Sequence, residues 1–84
     1  MSLQNLITMN VMNKNRVQKI RKRIKLYRME KGYTQDYVAQ QLKISQYAYQ
    51  KIESGKTQLK VGTFIELARI LKVKESYLLN GNDN

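Results

Sequence analysis

Catalysis by this sequence would have to do without the commonest catalytic side chains. The 84 residues contain no Cys and no His. A thiolate or imidazole nucleophile, a disulfide framework and the usual sulfur and nitrogen ligands of zinc are therefore excluded. The six acidic residues, Glu30, Asp36, Glu53, Glu66, Glu75 and Asp83, are dispersed along the chain instead of paired. No enzyme, metal site, cofactor or small-molecule ligand is expected. What the sequence has in abundance is cations: sixteen Lys and Arg give a formal net charge of +10. Such a field draws polyanions from a distance, and nucleic acid is the leading partner on charge alone.

The elements that must position these groups follow from the hydrophobic spacing. A chain of this length buries little more than half of its unfolded surface and makes one domain. The first fifteen residues carry only Lys14 as a charge, whereas residues 16–31 carry eight basic residues. The composition shift divides an N-terminal extension, 1–15, from a domain over 16–84. In the extension Ile7, Met9 and Val11 alternate with polar neighbours, the period of a short strand. Val17, Ile20, Ile24 and Tyr27 recur at helical spacing and predict a helix over 16–31, with Gly32 as its C-terminal cap and its basic residues spread over the solvated faces. Thr34 predicts the N-cap of a second, short helix with Val38, Ala39 and Leu42 on its buried face. Ser45 caps a third that runs to Glu53 and is closed by Ser54-Gly55. Residues 56–60 read as a loop, Phe64 to Leu71 as a fourth helix, and Tyr77 to Leu79 as a fifth. No internal repeat is visible, Pro is absent, and the fold expected is all-α. No apolar run has the roughly twenty residues of a membrane span, and the start lacks the pattern of a secretory signal. A cytoplasmic protein without membrane contact is expected.

Thr34-Gln35-x-x-Val38-Ala39-x-x-Leu42-x-Ile44-Ser45, followed by Tyr49, Ile52-Glu53-x-Gly55-Lys56, Leu67-Ala68-x-x-Leu71 and Leu78-Leu79, resembles the Cro/cI-type, or XRE-type, helix-turn-helix family of phage repressors and bacterial regulators. The resemblance covers about Ile20 to Gly81. Its physical basis is legible without the name. Ala39 lets two helices cross closely, Ile44 plugs their connection into the core, and Ser45 frees a helix N-terminus to face phosphate or base edges. The resemblance implies a compact five-helix bundle of the lambda-repressor-like DNA-binding type with a short N-terminal extension. It also implies a dimeric transcriptional regulator, a repressor or an activator, on a palindromic operator in double-stranded DNA.

By the same resemblance, residues 46–54 form the recognition helix. Gln46 is the first candidate base contact, since a glutamine bonds adenine N6 and N7 together. Tyr47, Ala48, Gln50 and Lys51 are further base-contact candidates, and Tyr49 is a core residue with its hydroxyl led to the surface. Gln35, Lys56, Thr57 and Lys60 are candidates for phosphate, and Gln35 also for buttressing Gln46. Arg28 and Glu53 take the positions of a partly buried ion pair. Tyr77, Leu78 and Leu79, with the loop before them and with Ile7, Met9 and Val11, are candidates for a homodimer interface. Three departures from the family pattern bear on the loops. Lys43 stands at a turn position that usually holds Gly and is expected at positive φ, Leu59 replaces a Pro, and Lys72 replaces a Gly. The competing reading is an antitoxin-like or other protein-interaction module, with a partner protein unknown and DNA binding secondary. A basic RNA-binding or membrane-surface peptide over 16–31 is disfavoured because its apolar face is needed by the core.

Overall fold

The structure, a computed structural model, describes residues 14–81. The strand and dimer readings at Ile7, Met9 and Val11 lie outside the described residues. Among the described residues five helices run α1 Lys14–Glu30, α2 Gln35–Leu42, α3 Gln46–Ser54, α4 Val61–Leu71 and α5 Glu75–Asn80, and there is no strand. The fold is all-α. The first helix already includes Lys14 and Asn15, ahead of the composition boundary near Arg16.

Local chemistry sets most helix ends. Thr34 and Ser45 are extended N-caps whose hydroxyls accept from the backbone N–H of Tyr37 and Ala48, each at 3.0 Å. These satisfy donors that a helix start leaves orphaned. Three C-terminal ends share one device. A left-handed residue (Gly32, Lys43 or Lys72) is followed by an apolar one (Tyr33, Ile44 or Val73) whose N–H reaches back to the carbonyl of Arg28, Ala39 or Ala68. This is the Schellman ending, in which the residue after the left-handed one packs back against its own helix. Tyr33, Ile44 and Val73 all pack on the core. Ala39-x-x-Leu42-Lys43-Ile44 and Ala68-x-x-Leu71-Lys72-Val73 are thus the same helix ending used twice, a short recurrence within a sequence that shows no repeat of whole elements.

The core is built from Ile20 and Ile24 of α1, Val38 and Ala39 of α2, Tyr49 of α3, Phe64, Leu67, Ala68 and Leu71 of α4, and Leu78 and Leu79 of α5, with Leu59 filling the loop between α3 and α4. Helix α2 packs on α3 and α4, and α1 lies across α3, α4 and α5. Val38 and Ala39 have no exposed surface, so the α2–α3 crossing is tight, as a small residue at a helix crossing allows. Leu59, at the position where the resembled pattern often holds a Pro, is buried, and it anchors the loop by packing instead of by a fixed φ. Leu78 and Leu79 are 0 % and 7 % exposed within the single chain. This corrects the expectation that they serve a dimer interface, because α1 and α4 already cover them. Of the residues named for that role in α5, only Tyr77 keeps exposed surface.

Candidate nucleic-acid interface

The outward side of α3 is polar and free. Gln46, Tyr47 and Gln50 are exposed, Ala48 and Lys51 half-buried. Tyr47 leaves 67 % of its surface to solvent, and the Lys51 ammonium stands 4.8 Å from the centre of its ring, a cation–π contact one helical turn apart. Lys43 lies in the turn before α3, and Lys56 and Lys60 in the loop after it; all three are exposed. Cations thus flank both ends of the helix. Thr57 is a different case. Its hydroxyl oxygen is buried without a hydrogen-bond partner, so the expected phosphate contact through this side chain is corrected, and the backbone carbonyl of Thr57 is instead tied to α1.

The inward side of α3 is held by a charge cluster centred on Glu53. Its carboxylate accepts four hydrogen bonds: from Arg28 Nε at 2.8 Å, Arg28 Nη2 at 3.1 Å, Gln35 Nε2 at 3.0 Å and the Tyr49 hydroxyl at 2.6 Å. Arg28 spends its remaining Nη1 on the Tyr33 carbonyl at 2.8 Å. The cluster therefore locks α1, the entry to α2 and the body of α3 into one unit. Burial acts to raise the Glu53 carboxyl, but the hydrogen bonds from Arg28, Tyr49 and Gln35 outweigh it and hold the group below its ordinary value. The bond to Glu53 in turn raises the Arg28 guanidinium. Burial, then the Glu53 bond and charge, push the Tyr49 phenol up, so it stays a donor. The Tyr49 hydroxyl is inside and not at the surface, a correction with a simple cause: a buried carboxylate one turn away offers it a stronger partner than water. Gln35 joins the same cluster, a role its position at the start of α2 did not suggest.

A second clamp was hidden among the basic residues of α1. Arg21 is buried, and its guanidinium donates to the carbonyls of Ile52 and, at 3.0 Å, Thr57. Those carbonyls belong to the last turn of α3 and to the loop beyond it, where a helix end leaves acceptors unsatisfied and favours a cation. Burial pulls the guanidinium down from its ordinary value, yet an arginine remains charged under any working condition. Gly55 ends α3 at φ +93°, and a Cβ there would come within 3.1 Å of the Gln18 side chain and 3.5 Å of Arg21. Similarly, Arg23 donates to the Leu78 and Leu79 carbonyls at 3.0 Å each, and Arg16 to Asn80 at 2.8 Å. The basic residues of α1, of which only Arg28 was expected to hold another element, thus divide by type. Arg16, Arg21, Arg23 and Arg28 hold other elements, while Lys14, Lys19, Lys22 and Lys25 stay exposed. The planar fork of Arg reaches paired acceptors in fixed geometry, which the point charge of Lys does not.

Among the described residues no helix is long and apolar enough to cross a membrane, and no cluster of acidic side chains is arranged to hold a metal ion. Two capped short helices crossing over a small residue, the second presenting a polar face between lysines, define a helix-turn-helix unit. The helix-turn-helix domain family model matches residues 21–84, and the chain belongs to that family. It is similar to the SPbeta prophage-derived uncharacterized HTH-type transcriptional regulator YonR of Bacillus subtilis (strain 168), at 39 % identity over 59 residues. The match takes in 70 % of this chain and 55 % of that relative, so the chain spans little more than half of the relative's length. No solved structure matches.

Proposed function

We propose that this chain is a sequence-specific transcriptional regulator that sets α3 in the major groove of double-stranded DNA and binds a palindromic operator as a homodimer, in the compartment that holds the DNA. The observation that carries the reading is the two-sided character of α3. Its outer face offers Gln46, Tyr47 and Gln50 to solvent, Tyr47 touching only Lys51 of the same face, while Ser45, the Glu53 cluster and the Arg21 clamp fix its two ends and its inner face. A helix held so firmly keeps its side chains in register with base edges, which is what discrimination between bases requires. The name of the similar prophage protein supports the regulatory role.

The parts divide into reading and positioning. Gln46 reads adenine through its bidentate amide, with Tyr47, Ala48, Gln50 and Lys51 completing the base-contact face. Lys56 and Lys60 hold phosphates and set the register. Gln35 supplies a phosphate contact through the N–H left after its bond to Glu53 and through the backbone at the start of α2, and its fixed amide buttresses α3 more than it buttresses Gln46. Selection of binding sites from a random duplex library tests the reading. Enrichment of a symmetric consensus is the expected outcome, and retention of the pool without enrichment counts against sequence-specific regulation.

A further inference from the structure

Large apolar side chains stay in water on one stretch of α1. Leu26 is 64 % exposed and Met29 57 % exposed, in a helix whose other exposed residues are all polar or charged. Beside them runs a groove of about 230 Å³ whose walls are Arg23, Leu26, Tyr27 and Glu30 of α1 and Tyr77 and Gly81 of α5. Residues 23, 26, 27 and 30 are spaced as one ridge of a helix. Along that ridge the order is cation, apolar, aromatic, anion, and Glu30 is the only acidic residue in α1.

We infer that this ridge is where a second copy of the chain docks, the two α1 helices crossing antiparallel about a twofold axis between Leu26 and Tyr27. The pattern is self-complementary under that operation. Arg23 of each copy meets Glu30 of the other, Leu26 enters the opposite groove beside Tyr27 and Tyr77, and Met29 covers the edge. An isologous contact requires that each patch match itself when turned around. A parallel pairing would set Arg23 against Arg23 and Glu30 against Glu30. Elsewhere α1 offers only Lys and Arg as charges, so two copies repel each other everywhere along the helix except at this end. Helix α1 bonds α5 through Arg23 and α3 through Arg21 and Arg28. The groove therefore lies on the α5 side, and pairing there leaves the outer face of α3 uncovered. The inference rests on the reading of the chain as a dimeric DNA-binding regulator and replaces the α5 leucines with a surface that is free to pair.

A charge-swap experiment on the full chain tests it. Sedimentation over a concentration series should give a reversible dimer for the wild type. Glu30→Arg should weaken it about a hundredfold or more, since like charges then face each other twice. Arg23→Glu alone should also be monomeric, and mixing it with Glu30→Arg should restore a dimer, because both cross-pairs are then of opposite sign. Restoration by mixing cannot come from a variant that merely failed to fold. Circular dichroism checks that each variant keeps the wild-type helix content, since Arg23 also bonds the Leu78 and Leu79 carbonyls; a wild-type dimer that Glu30→Arg leaves intact overturns the assignment, as does a wild type that stays monomeric throughout or a pair of folded variants that do not associate. Duplex binding by the same samples separates the two claims: Glu30→Arg that still binds a half-site upholds DNA recognition whatever becomes of the interface.

Discussion

Glu53 joins α1, the start of α2 and the inner side of α3 at a single carboxylate. Four donors converge on its two oxygens, so every lone-pair direction a buried carboxylate must satisfy is met. Removing one charged partner from such a pair leaves the other buried alone, and Glu53→Ala or Arg28→Ala should each cost about 3–5 kcal/mol in urea denaturation. Tyr49→Phe should cost about 1.5–3 kcal/mol, the worth of a hydrogen bond to a charged group. The pH dependence has a definite sign. The carboxyl is held below its ordinary value of 4.5, so its stabilisation is complete above that value and is lost as the pH falls through the lower, folded-state value. Acid titration of stability should therefore be shallower for Glu53→Gln than for the wild type, and an equal slope in both would show that the cluster contributes nothing to acid sensitivity. The Arg28–Glu53 pairing was legible because family spacing carries it. The recruitment of Tyr49 and Gln35 and the burial of Arg21 were not. Where a long polar side chain goes depends on which acceptors the tertiary fold leaves open, and the sequence around Arg21 does not distinguish it from Lys19 or Lys22.

At the scale of the element, the informative residues are those whose conformation is set locally. Thr34, Ser45 and Gly55 mark helix ends by chemistry that acts within one turn, and the α2-turn-α3 unit was legible for that reason. Lys43 was legible as a strained substitute for Gly and Lys72 only as a replacement of one, and they adopt φ of 61° and 58°. Left-handed backbone costs a side chain about 1–2 kcal/mol, and Gly gives part of that back through the greater freedom of the unfolded chain. Lys43→Gly and Lys72→Gly should each raise stability by about 0.5–1 kcal/mol. Only Lys43→Gly should also weaken DNA binding, since Lys43 stands in the turn that leads into α3 while Lys72 stands in the turn between α4 and α5. Thermal melts and duplex titrations of the two variants check both statements. The burial of Leu78 and Leu79 was not legible. An apolar pair on a terminal helix reads the same whether it faces its own core or a partner, and only the packing of α1 across α5 decides it.

Over the whole molecule, four of the five arginines, Arg16, Arg21, Arg23 and Arg28, hold one element to another, Arg69 pairs with Glu66 inside α4, and most of the lysines are left to the solvent. The net charge of +10 implies release of several counterions on binding DNA, so affinity should fall steeply with salt, and a flat response would point to a protein partner instead. The central claim is finer: α3 reads bases while the lysines around it hold phosphates. It is tested most directly by measuring, for the wild type, Gln46→Ala and Lys56→Ala, both the selected binding site and the dependence of affinity on salt. Gln46→Ala should relax the preference at one symmetric pair of positions, losing about 1–3 kcal/mol of discrimination there, with non-specific affinity and salt slope nearly unchanged. Lys56→Ala should weaken all sequences alike and lower the slope by about one. Selection of the same sites at the same stringency by Gln46→Ala would contradict the assignment of α3 as the reading helix with Gln46 at its head.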